Sequence, residues 1–587
     1  MHHCKWTLVC GMGLLLLLSG CSRATDSGNR AEAQKKPATR ETSGTAGLSR
    51  PENTRTDPQK KSDGQDASAG KQIQNNAAEP EPSKVKPHEL NSEKSKDSEI
   101  QPSAGATTQT SAGQTITPDP DVLLPDENVM EPFEQQVPIY FVNRTQQLEE
   151  WNKLPAFWNE ATEKVMHPKT GQIVERKVVK IKVPLGLTQS PPVPPENPLT
   201  VSKFVLGKKL YFSRILSSDN SVSCSTCHHP NKGFTDQSPV STGIFGKQGT
   251  VSAPTVMNAA YNLLQFWDGR AVSLEDQAQG PVQNPLEMFD GKGNAWHEAV
   301  KRLRQNTEFV ELFKRAFGHL PTRDASAKAI ATYERLVLIG NSIHDRAELA
   351  MRERVEAAGV PDFTIQAQDY EKVLKDAFTR KDKHSLSPFQ LDPENAKDQE
   401  KIPALAKSIA NGRALFFGKA RCNQCHAGDN FTDNQFHNLG VGFKDGAKLS
   451  KDNIGRFGAQ MLGHKDPQAV GAFKTPTLRG LLSTAPYMHD GSEKTLENVI
   501  NFYDRGGNPN PWLDVKMRDI AAEQAYLRDP KNYKGPQVHV FDGKPIVPLR
   551  LNLTEQEKQD LANFLRALQS DPPDPIVADP NKFPAGY

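Results

Sequence analysis

The chain has 587 residues, and its 72 basic and 70 acidic side chains leave a formal net charge of +2 at pH 7. That balance gives no electrostatic reason to expect nucleic acid as a partner. Hydrophobic residues make up only 36% of the sequence, beside 44 prolines and 41 glycines, so part of the length is predicted not to fold.

Residues 1–20 are typical of a secretory signal. His2, His3 and Lys5 precede an apolar stretch that ends in Leu-Ser-Gly-Cys at Cys21, and this stretch is too short to predict a membrane-spanning helix. The ending resembles a bacterial lipobox, in which Cys21 is lipidated and becomes the mature N-terminus. The alternative is an ordinary signal peptide with an incidental Cys. We predict a periplasmic protein that a lipid anchor at Cys21 holds to a bacterial membrane.

Residues 21–130 are rich in Ser, Thr, Gln, Lys, Glu and Pro and poor in aromatic and branched apolar side chains. Such a composition buries too little surface to offset chain entropy, which predicts a disordered tether. Residues 131–195 are predicted to be an N-terminal extension. It has a strand at 139–142, a helix over 151–165 with Phe157 and Trp158 facing inward, and a hairpin over 166–183.

The remainder of the sequence is predicted to be mainly helical. Asp324 is a candidate cap for a helix, and Thr554 with Glu557 forms a capping box before another. The apolar faces of these two helices are predicted from Ile330, Tyr333, Leu336 and Val337, and from Leu561, Phe564, Leu565 and Leu568. Two charged or Pro-, Gly- and Lys-rich stretches, 350–401 and 514–547, are poorly periodic and are predicted to be insertions.

Two Cys-x-x-Cys-His motifs stand at Cys224, Cys227 and His228 and at Cys422, Cys425 and His426. This spacing is typical of covalently attached c-type haem, in which the cysteines form thioethers and the histidine ligates iron. A zinc site with four thiolates is the alternative. The separation of the pairs is longer than zinc-ribbon spacing, and a His follows both pairs. We therefore predict two covalently bound haem c groups.

Further motifs occur in order around the two haem motifs. They are Leu-Gly-Lys-Lys-Leu-Tyr-Phe from Leu206, Trp-Asp-Gly-Arg from Trp267, Gly-Asn-Ser from Gly340, Phe-Lys-Thr-Pro-Thr-Leu-Arg from Phe473, and Ala-Pro-Tyr-Met-His-Asp-Gly-Ser from Ala485. Together they resemble the bacterial dihaem cytochrome c peroxidase and MauG superfamily, over residues 198–567 with the two insertions interrupting. The resemblance implies a mainly α fold with two cytochrome c-like haem domains packed together.

The resemblance divides the rest of the chain into two haem domains. The first, peroxidatic domain is expected at 196–349, the first insertion at 350–401, the second, electron-transfer domain at 402–575 and a C-terminal tail at 576–587. In this family the first haem meets hydrogen peroxide, and the second relays electrons. We call residues 196–349 the first half and residues 402–575 the second half.

The residues opposite the first haem decide how the resemblance is read. Many members carry a distal His in a Ser-Thr-Gly-His context, where this chain has Ser241, Thr242, Gly243 and Ile244. Isoleucine has no lone pair to offer iron. The resemblance therefore implies an iron that is open in the resting oxidised protein. The alternative is that His229 or Met257 ligates it instead.

The family pattern after Trp267 assigns Gln277, Pro281 and Glu287 to the pocket of the first haem. Glu287 would be the acid–base group that cleavage of the O–O bond requires, Gln277 its hydrogen-bonding partner and Pro281 a steric wall. Read without the family, Glu287 is as readily a surface carboxylate. Trp267 resembles the inter-haem tryptophan of the family, and the alternative is an ordinary core residue.

For the second haem, MauG-like members place Tyr where this sequence has Tyr503, and Met488 is the competing ligand. The family also has an inter-haem calcium. Its implied ligands here are the carbonyls of Thr484 and Pro486 and the weaker oxygen of Ser252. His489, Arg479 and Arg270 are candidates to contact haem carboxylates, with a purely structural role as the alternative.

These residues predict a MauG-like dihaem oxidoreductase that reduces hydrogen peroxide at the first haem and passes electrons through the second. Its partner would be a periplasmic electron-donor protein (a cytochrome c or a cupredoxin) or a protein substrate. Two alternatives stay open. One is a conventional cytochrome c peroxidase that detoxifies peroxide, and the other is a dihaem cytochrome that only transfers electrons.

Overall fold

The computed structural model describes Phe133 and residues 135–359, 361–444, 448–450 and 453–587. The predicted signal, Cys21 and the tether lie outside the described residues. All described residues belong to one unit, Thr110–Tyr587. In this part of the chain, no helix combines the length and the apolar character that crossing a membrane requires.

The N-terminal extension is a three-stranded sheet with one short helix. Its elements are β1 (Ile139–Val142), α1 (Leu148–Lys153), β2 (Trp158–Met166) and β3 (Ile173–Lys182). The strand order is β1-β3-β2, with β1 parallel and β2 antiparallel to β3. The predicted first strand and the β character of the hairpin's second strand are confirmed.

The predicted helix over 151–165 is wrong. Helix α1 ends at Lys153, and the following residues form β2, in which exposed and half-buried side chains alternate. Ala161, Glu163 and Val165 share one face with this period of two. Pairing along β3, from Trp158 opposite Ile181 to Met166 opposite Ile173, outweighs the helical pattern of this stretch.

The first half is built on seven helices among the described residues. They are α2 (Val201–Phe212), α3 (Cys224–Cys227), α4 (Leu274–Gln277), α5 (Gly280–Gln283), α6 (Ala295–Gln305), α7 (Thr307–Phe317) and α8 (Arg323–Arg335). Helices α2 and α8 pack closely at Gly207, where a Cβ would collide with the carbonyl of Ala329. This crossing therefore requires glycine.

The predicted apolar residues are buried, since Ile330, Tyr333, Leu336 and Val337 are all essentially inaccessible. Ile330 and Tyr333 lie on α8, whereas Leu336 and Val337 directly follow its end at Arg335. The predicted cap of α8 is wrong by two residues. Thr322 is the N-cap, with extended backbone angles and a hydroxyl that accepts a hydrogen bond from the Ala325 amide at 3.1 Å. Asp324 lies in the first turn instead, where a carboxylate favours the helix dipole.

The stretch predicted as a poorly periodic insertion is helical and contributes to the core. It contains most of α9 (Ile343–Ala358), followed by α10 (Ala367–Thr379), α11 (Lys383–Leu386) and α12 (Ala396–Gln399). Helix α10 buries one face against α13 (Ile402–Phe417). Its buried residues, at helical spacing, are Tyr370, Val373, Leu374, Ala377 and Phe378. The prediction of poor periodicity is wrong because charged residues occupy the opposite face.

The second half continues from α13 with short helices and strand pairs. The helices are α14 (Arg456–Ala459), α15 (Leu496–Asp504), α16 (Ile520–Arg528) and α17 (Glu555–Arg566). The paired strands are β4 (Phe436–His437) with β7 (Phe473–Lys474), β5 (Phe443–Lys444) with β6 (Lys448–Leu449), and β8 (His539–Phe541) with β9 (Lys544–Ile546). The capping box is confirmed, because Thr554 and Glu557 exchange hydrogen bonds of 2.7 and 3.2 Å at the start of α17.

The C-terminal helix α18 (Pro575–Ala578) packs onto the first half. Val577 is fully buried there, and its carbonyl accepts a hydrogen bond from the Tyr333 hydroxyl at 3.0 Å. The buried Lys208 ammonium donates to the carbonyls of Ile576 at 2.9 Å and Asp579 at 2.6 Å. The end of the chain thus completes the core of the first half.

Candidate active site

One cavity of about 440 Å³ runs past both Cys-x-x-Cys-His motifs. Cys227 and His228 line it in the first half, and Cys422, Cys425 and His426 line it in the second. Cys224 is half-buried and contributes no atoms to the lining. The other predicted site residues that line the cavity are Ser252, Met257, Trp267, Arg270, Gln277, Pro281, Glu287, Thr484, Pro486, Met488, His489 and Tyr503.

The first motif occupies α3, a single helical turn. A capping box fixes its start, since the Ser223 amide donates to the Thr226 hydroxyl at 2.9 Å. His228 ends the turn, and its Nδ1 lies 3.3 Å from the carbonyl oxygen of Phe234. A protonated Nδ1 donating to this carbonyl leaves Nε2 with a lone pair for a metal. Burial lowers the pKa of His228, which also favours the neutral ring.

The second motif repeats this arrangement on a 3₁₀ turn, Cys422–Gln424. The Nδ1 of His426 lies 2.9 Å from the carbonyl oxygen of Phe431, and burial again lowers the pKa of the ring. All four cysteines are free of disulfides. Each motif therefore offers two thiols and an imidazole with the correct tautomer beside one cavity, which fits a covalently bound haem at each.

Glu287 is held at the first-haem side of the cavity by its own loop. The Asn284 side-chain amide donates to Oε1 of Glu287 at 2.5 Å. Burial raises the pKa of the Glu287 carboxyl, while the charge of Arg270 and the Asn284 hydrogen bond act against that rise. Gln277 ends α4 and Pro281 lies in α5, and both line the same cavity as Glu287.

The loop with Ile244 packs directly on the Glu287 backbone. The Ile244 amide donates to the Glu287 carbonyl at 2.9 Å, and a Cβ at Gly243 would collide with the carbonyls of Leu286 and Glu287. The Ile244 side chain is fully buried and lies outside the cavity lining. His229 also lies outside the lining and caps the turn after the motif, accepting from the Asn231 amide. Met257, the other alternative ligand, does line the cavity.

Trp267 contacts both halves of the molecule. Its indole Nε1 donates to the carbonyl of Ser252 in the first half at 2.9 Å. Its own carbonyl accepts from the Lys474 amide in the second half at 2.8 Å. The Trp267 and His489 ring centroids are 6.4 Å apart. The residue therefore lies at the junction between the two motifs.

Tyr503 and Met488 both line the cavity. Tyr503 is carried by α15, and burial raises the pKa of its hydroxyl, with the thiols of Cys425 and Cys422 adding to the rise. Met488 has a left-handed backbone with φ 69°, and its carbonyl accepts from the Ser252 hydroxyl at 3.3 Å. The choice of Tyr503 as ligand stays a prediction, as does calcium at Ser252, Thr484 and Pro486.

The three candidates for contact with haem carboxylates have different surroundings. Arg479 is buried in a two-point ion pair with Asp345, at 2.7 and 3.0 Å, and also donates to the carbonyls of Asp429 and Gly186. The Arg479 guanidinium therefore joins separate segments of the chain. This is the purely structural role that was the alternative to a haem contact. Arg270 lines the cavity and pairs with Asp268.

His489 is a buried member of the cavity wall. Its ring stacks on Phe473 with centroids 3.5 Å apart, and Nε2 lies 2.6 Å from Oδ1 of Asn453. Burial lowers the pKa of His489 to about 4. A contact between His489 and a haem carboxylate stays a prediction, since a neutral imidazole can still donate one hydrogen bond.

Sequence reasoning missed two groups at the cavity. His437 lies between Asp433 and Asp514, with ring nitrogens 2.9 and 2.7 Å from their carboxylates. Glu334 on α8 lines the first-haem side and is only 6% exposed. Glu334 had a signal in the sequence, because it follows Ile330 by one helical turn on an otherwise apolar face. Asp433 and His437 are four residues apart, but Asp514 follows His437 by 77 residues, so no local spacing predicts the complete group.

The chain is similar to several known proteins. A family model described as di-haem cytochrome c peroxidase matches residues 201–353. The methylamine utilization protein MauG of Methylorubrum extorquens is 30% identical over 410 residues, which cover 69% of this chain and 88% of the relative. Cytochrome-c peroxidase IdrP1 of Pseudomonas sp. (strain SCT) is 29% identical over 426 residues, 69% of this chain and 90% of the relative. A solved MauG-like protein associated with microbial copper homeostasis is 27% identical with a TM-score of 0.47, covering 67% of this chain and 95% of that structure.

Proposed function

This chain belongs to the di-haem cytochrome c peroxidase family and carries two c-type haems, and we propose that it is a MauG-like oxidoreductase that reduces hydrogen peroxide. Peroxide reacts at the first haem, and electrons arrive through the second. The observation that carries the proposal is the cavity shared by both motifs, with Glu287 on its first-haem side. Cys224, Cys227 and His228 would hold one haem, and Cys422, Cys425 and His426 the other.

The chemistry of the proposal balances as one peroxide, two electrons and two protons giving two waters. The haems, when bound, supply iron that exchanges electrons with peroxide and with a donor. Glu287 would take a proton from one peroxide oxygen and deliver it to the other, which leaves as water. Its raised pKa brings the carboxyl closer to the range in which it both accepts and releases a proton. Asn284 fixes the carboxylate, and Gln277 and Pro281 orient the peroxide and limit its room.

Two features support the MauG-like assignment over a conventional cytochrome c peroxidase. Ile244 stands where many members have a distal His, and it lies buried against the Glu287 loop, outside the cavity lining. Tyr503 faces the second-haem side and would give that iron a hard anionic ligand suited to high oxidation states. Trp267, bonded to both halves, would share electrons between the haems.

The partners follow from the same proposal. The protein works in the periplasm, held to a membrane by a lipid at Cys21. It receives electrons from a small redox protein or from a protein substrate. Ser252, Thr484 and Pro486 bind a calcium ion between the haems.

Peroxide addition to the resting diferric protein tests the proposal, followed by an assay of reduced cytochrome c oxidation. A long-lived spectral change without prior reduction, with slow cytochrome turnover, is the expected result. Fast turnover that requires prior one-electron reduction would instead assign a conventional cytochrome c peroxidase. Absence of any reaction would leave a dihaem cytochrome that only transfers electrons and would overturn the peroxidase assignment.

A further inference from the structure

The first-haem side of the cavity contains a second carboxylate, Glu334, besides Glu287. It lies on α8, is 6% exposed and lines the same cavity as Cys227 and His228. Its neighbours along the helix are engaged elsewhere. Tyr333 donates its hydroxyl to the Val577 carbonyl, and Arg335 makes a two-point ion pair with Glu275 at 3.0 and 3.2 Å.

Tyr211 on α2, on whose hydroxyl the charge of Glu334 acts, is also engaged elsewhere. The hydroxyl of Tyr211 on α2 donates to the carbonyl of His228 at 2.8 Å. Within the described part of the chain, no side chain or backbone group donates a hydrogen bond to the Glu334 carboxylate. A buried, unpaired carboxylate is costly, so the group it serves is expected to lie in the space it faces.

The charge of Glu334 acts on the first haem attachment motif. Burial raises the pKa of the Cys224 thiol, and the charge of Glu334 raises it further, ahead of the charges of Cys227 and Glu287. Glu334 likewise adds to the raised pKa of Tyr211 and Tyr333. In a buried site, a unit charge interacts strongly with any neighbouring group whose charge changes.

We infer that Glu334 is a positioning residue of the first haem, whose carboxylate couples one-electron reduction of that haem to the uptake of one proton. The ionised carboxylate stabilises ferric iron, which carries one more positive charge than ferrous iron. When a one-electron donor reduces the iron, that stabilisation is lost, and the carboxylate binds a proton from solvent. One electron and one proton thus enter together, and the net charge of the site does not change.

The titration range supports this coupling. Burial raises the pKa of Glu334 to about 8, with the charge of Arg335 lowering it and that of Glu275 raising it. Arg335 and Glu275 are paired with each other, and the phenols of Tyr211 and Tyr333 titrate far higher. Glu287, also with a raised pKa, is the other carboxylate on this side, and the experiment must separate the two.

Spectroelectrochemical titration of the dihaem protein from about pH 6 to about pH 10 tests the inference. In the wild type, the potential of the first haem should fall as the pH rises through about 8. In Glu334→Gln the potential of the first haem should equal that of the wild type at low pH. At high pH it should stay above the wild-type potential, because the fall with rising pH is lost. The second haem should not change, and Glu287→Gln should retain the fall around pH 8.

Two controls keep the test decisive. Asp324→Asn removes a carboxylate from the same helix at a 71% exposed side chain, and it should leave both curves unchanged. Glu334→Asp retains the charge and should retain the pH dependence, even if Glu334→Gln fails to take up haem. A wild-type potential that does not vary with pH, or parallel curves for wild type and Glu334→Gln, would overturn the inference. Because no peroxide is added, this outcome is independent of the proposed peroxidase activity.

Discussion

The two halves of the molecule use the same motif but surround it with different chemistry. In both, a His follows the second Cys and directs Nδ1 at a nearby carbonyl, 3.3 Å away for His228 and 2.9 Å for His426. The first half faces the cavity with two carboxylates, Glu287 and Glu334. The second half faces it with the Tyr503 phenol among leucine side chains, Leu496, Leu549, Leu551, Leu553, Leu561 and Leu565.

The two halves share the attachment motif and differ in the wall opposite it. We therefore expect the motif to hold the cofactor and the opposite wall to determine the chemistry of each haem. Carboxylates with raised pKa values can exchange protons, which peroxide reduction requires. The Tyr503 phenol offers no comparable acid because burial raises its pKa, but it can ligate iron. His437, the other titratable group named on this wall, is held between the carboxylates of Asp433 and Asp514. Under the proposed function, proton chemistry belongs to the first half and electron relay to the second. Changes at the two walls should have separable effects.

Removing the acid from the first wall should give the largest effect. We expect Glu287→Gln to lower peroxide turnover by about 10²–10⁴-fold, because the amide has the same shape but cannot accept and return a proton. Steady-state peroxide reduction with a chemical electron donor measures the loss, and the haem spectrum checks that both haems remain. Glu298→Gln, at a 54% exposed side chain on α6, is the matched control. Turnover of Glu287→Gln within a few-fold of wild type would make Glu287 a bystander.

The residues that line this first wall were easier to predict from the sequence than Glu334, the second acid of the wall. Motif order assigned Trp267, Gln277, Pro281 and Glu287, and all four line the cavity. The spacing of apolar residues predicts the buried face of α8, but it assigns no role to a carboxylate on that face, and Glu334 was therefore missed. Tertiary contacts also explain the wrong helix at 151–165, since pairing with β3 decides that segment and no local spacing reports it.

The stretch at 350–401 shows another limit of local reasoning. Its helix α10 alternates charged residues with the buried Tyr370, Val373, Leu374, Ala377 and Phe378. The charged face forms surface ion pairs such as Lys372 with Glu353 and Lys375 with Glu371. Counting charges therefore suggested an appendage, whereas the helical period of the apolar residues predicts a face packed against α13.

Changing the second wall should affect the potential of the second haem and leave the acid chemistry intact. We expect Tyr503→Phe to raise that potential on the order of 0.1 V, a fraction of the roughly 0.8 V range that axial ligands span. Burial raises the pKa of Tyr503, so only a nearby cation such as iron would hold it as phenolate, and a phenolate stabilises ferric iron. Spectroelectrochemistry measures the shift. Met488→Leu is the control, and a shift in that variant alone would make Met488 the ligand.

Changing the junction should give the smallest effect, and it tests whether the two halves act together. We expect Trp267→Phe to bind both haems and to lose about 1 kcal/mol of unfolding free energy, because the hydrogen bond from Nε1 to the Ser252 carbonyl is lost. Electron sharing between the haems should become slower, which stopped-flow mixing with less than one equivalent of reductant measures.

Trp296→Phe provides the matched control for the junction. Trp296 is 3% exposed in the core of the first half, and its indole also donates to a backbone carbonyl, that of Gln279, at 3.2 Å. The two variants should lose similar stability, so only position distinguishes them. Slower electron sharing in Trp267→Phe alone would assign the effect to the junction. Equal rates of electron sharing in the two variants would mean that electrons pass between the haems without the Trp267 indole. Trp267 would then be a packing residue.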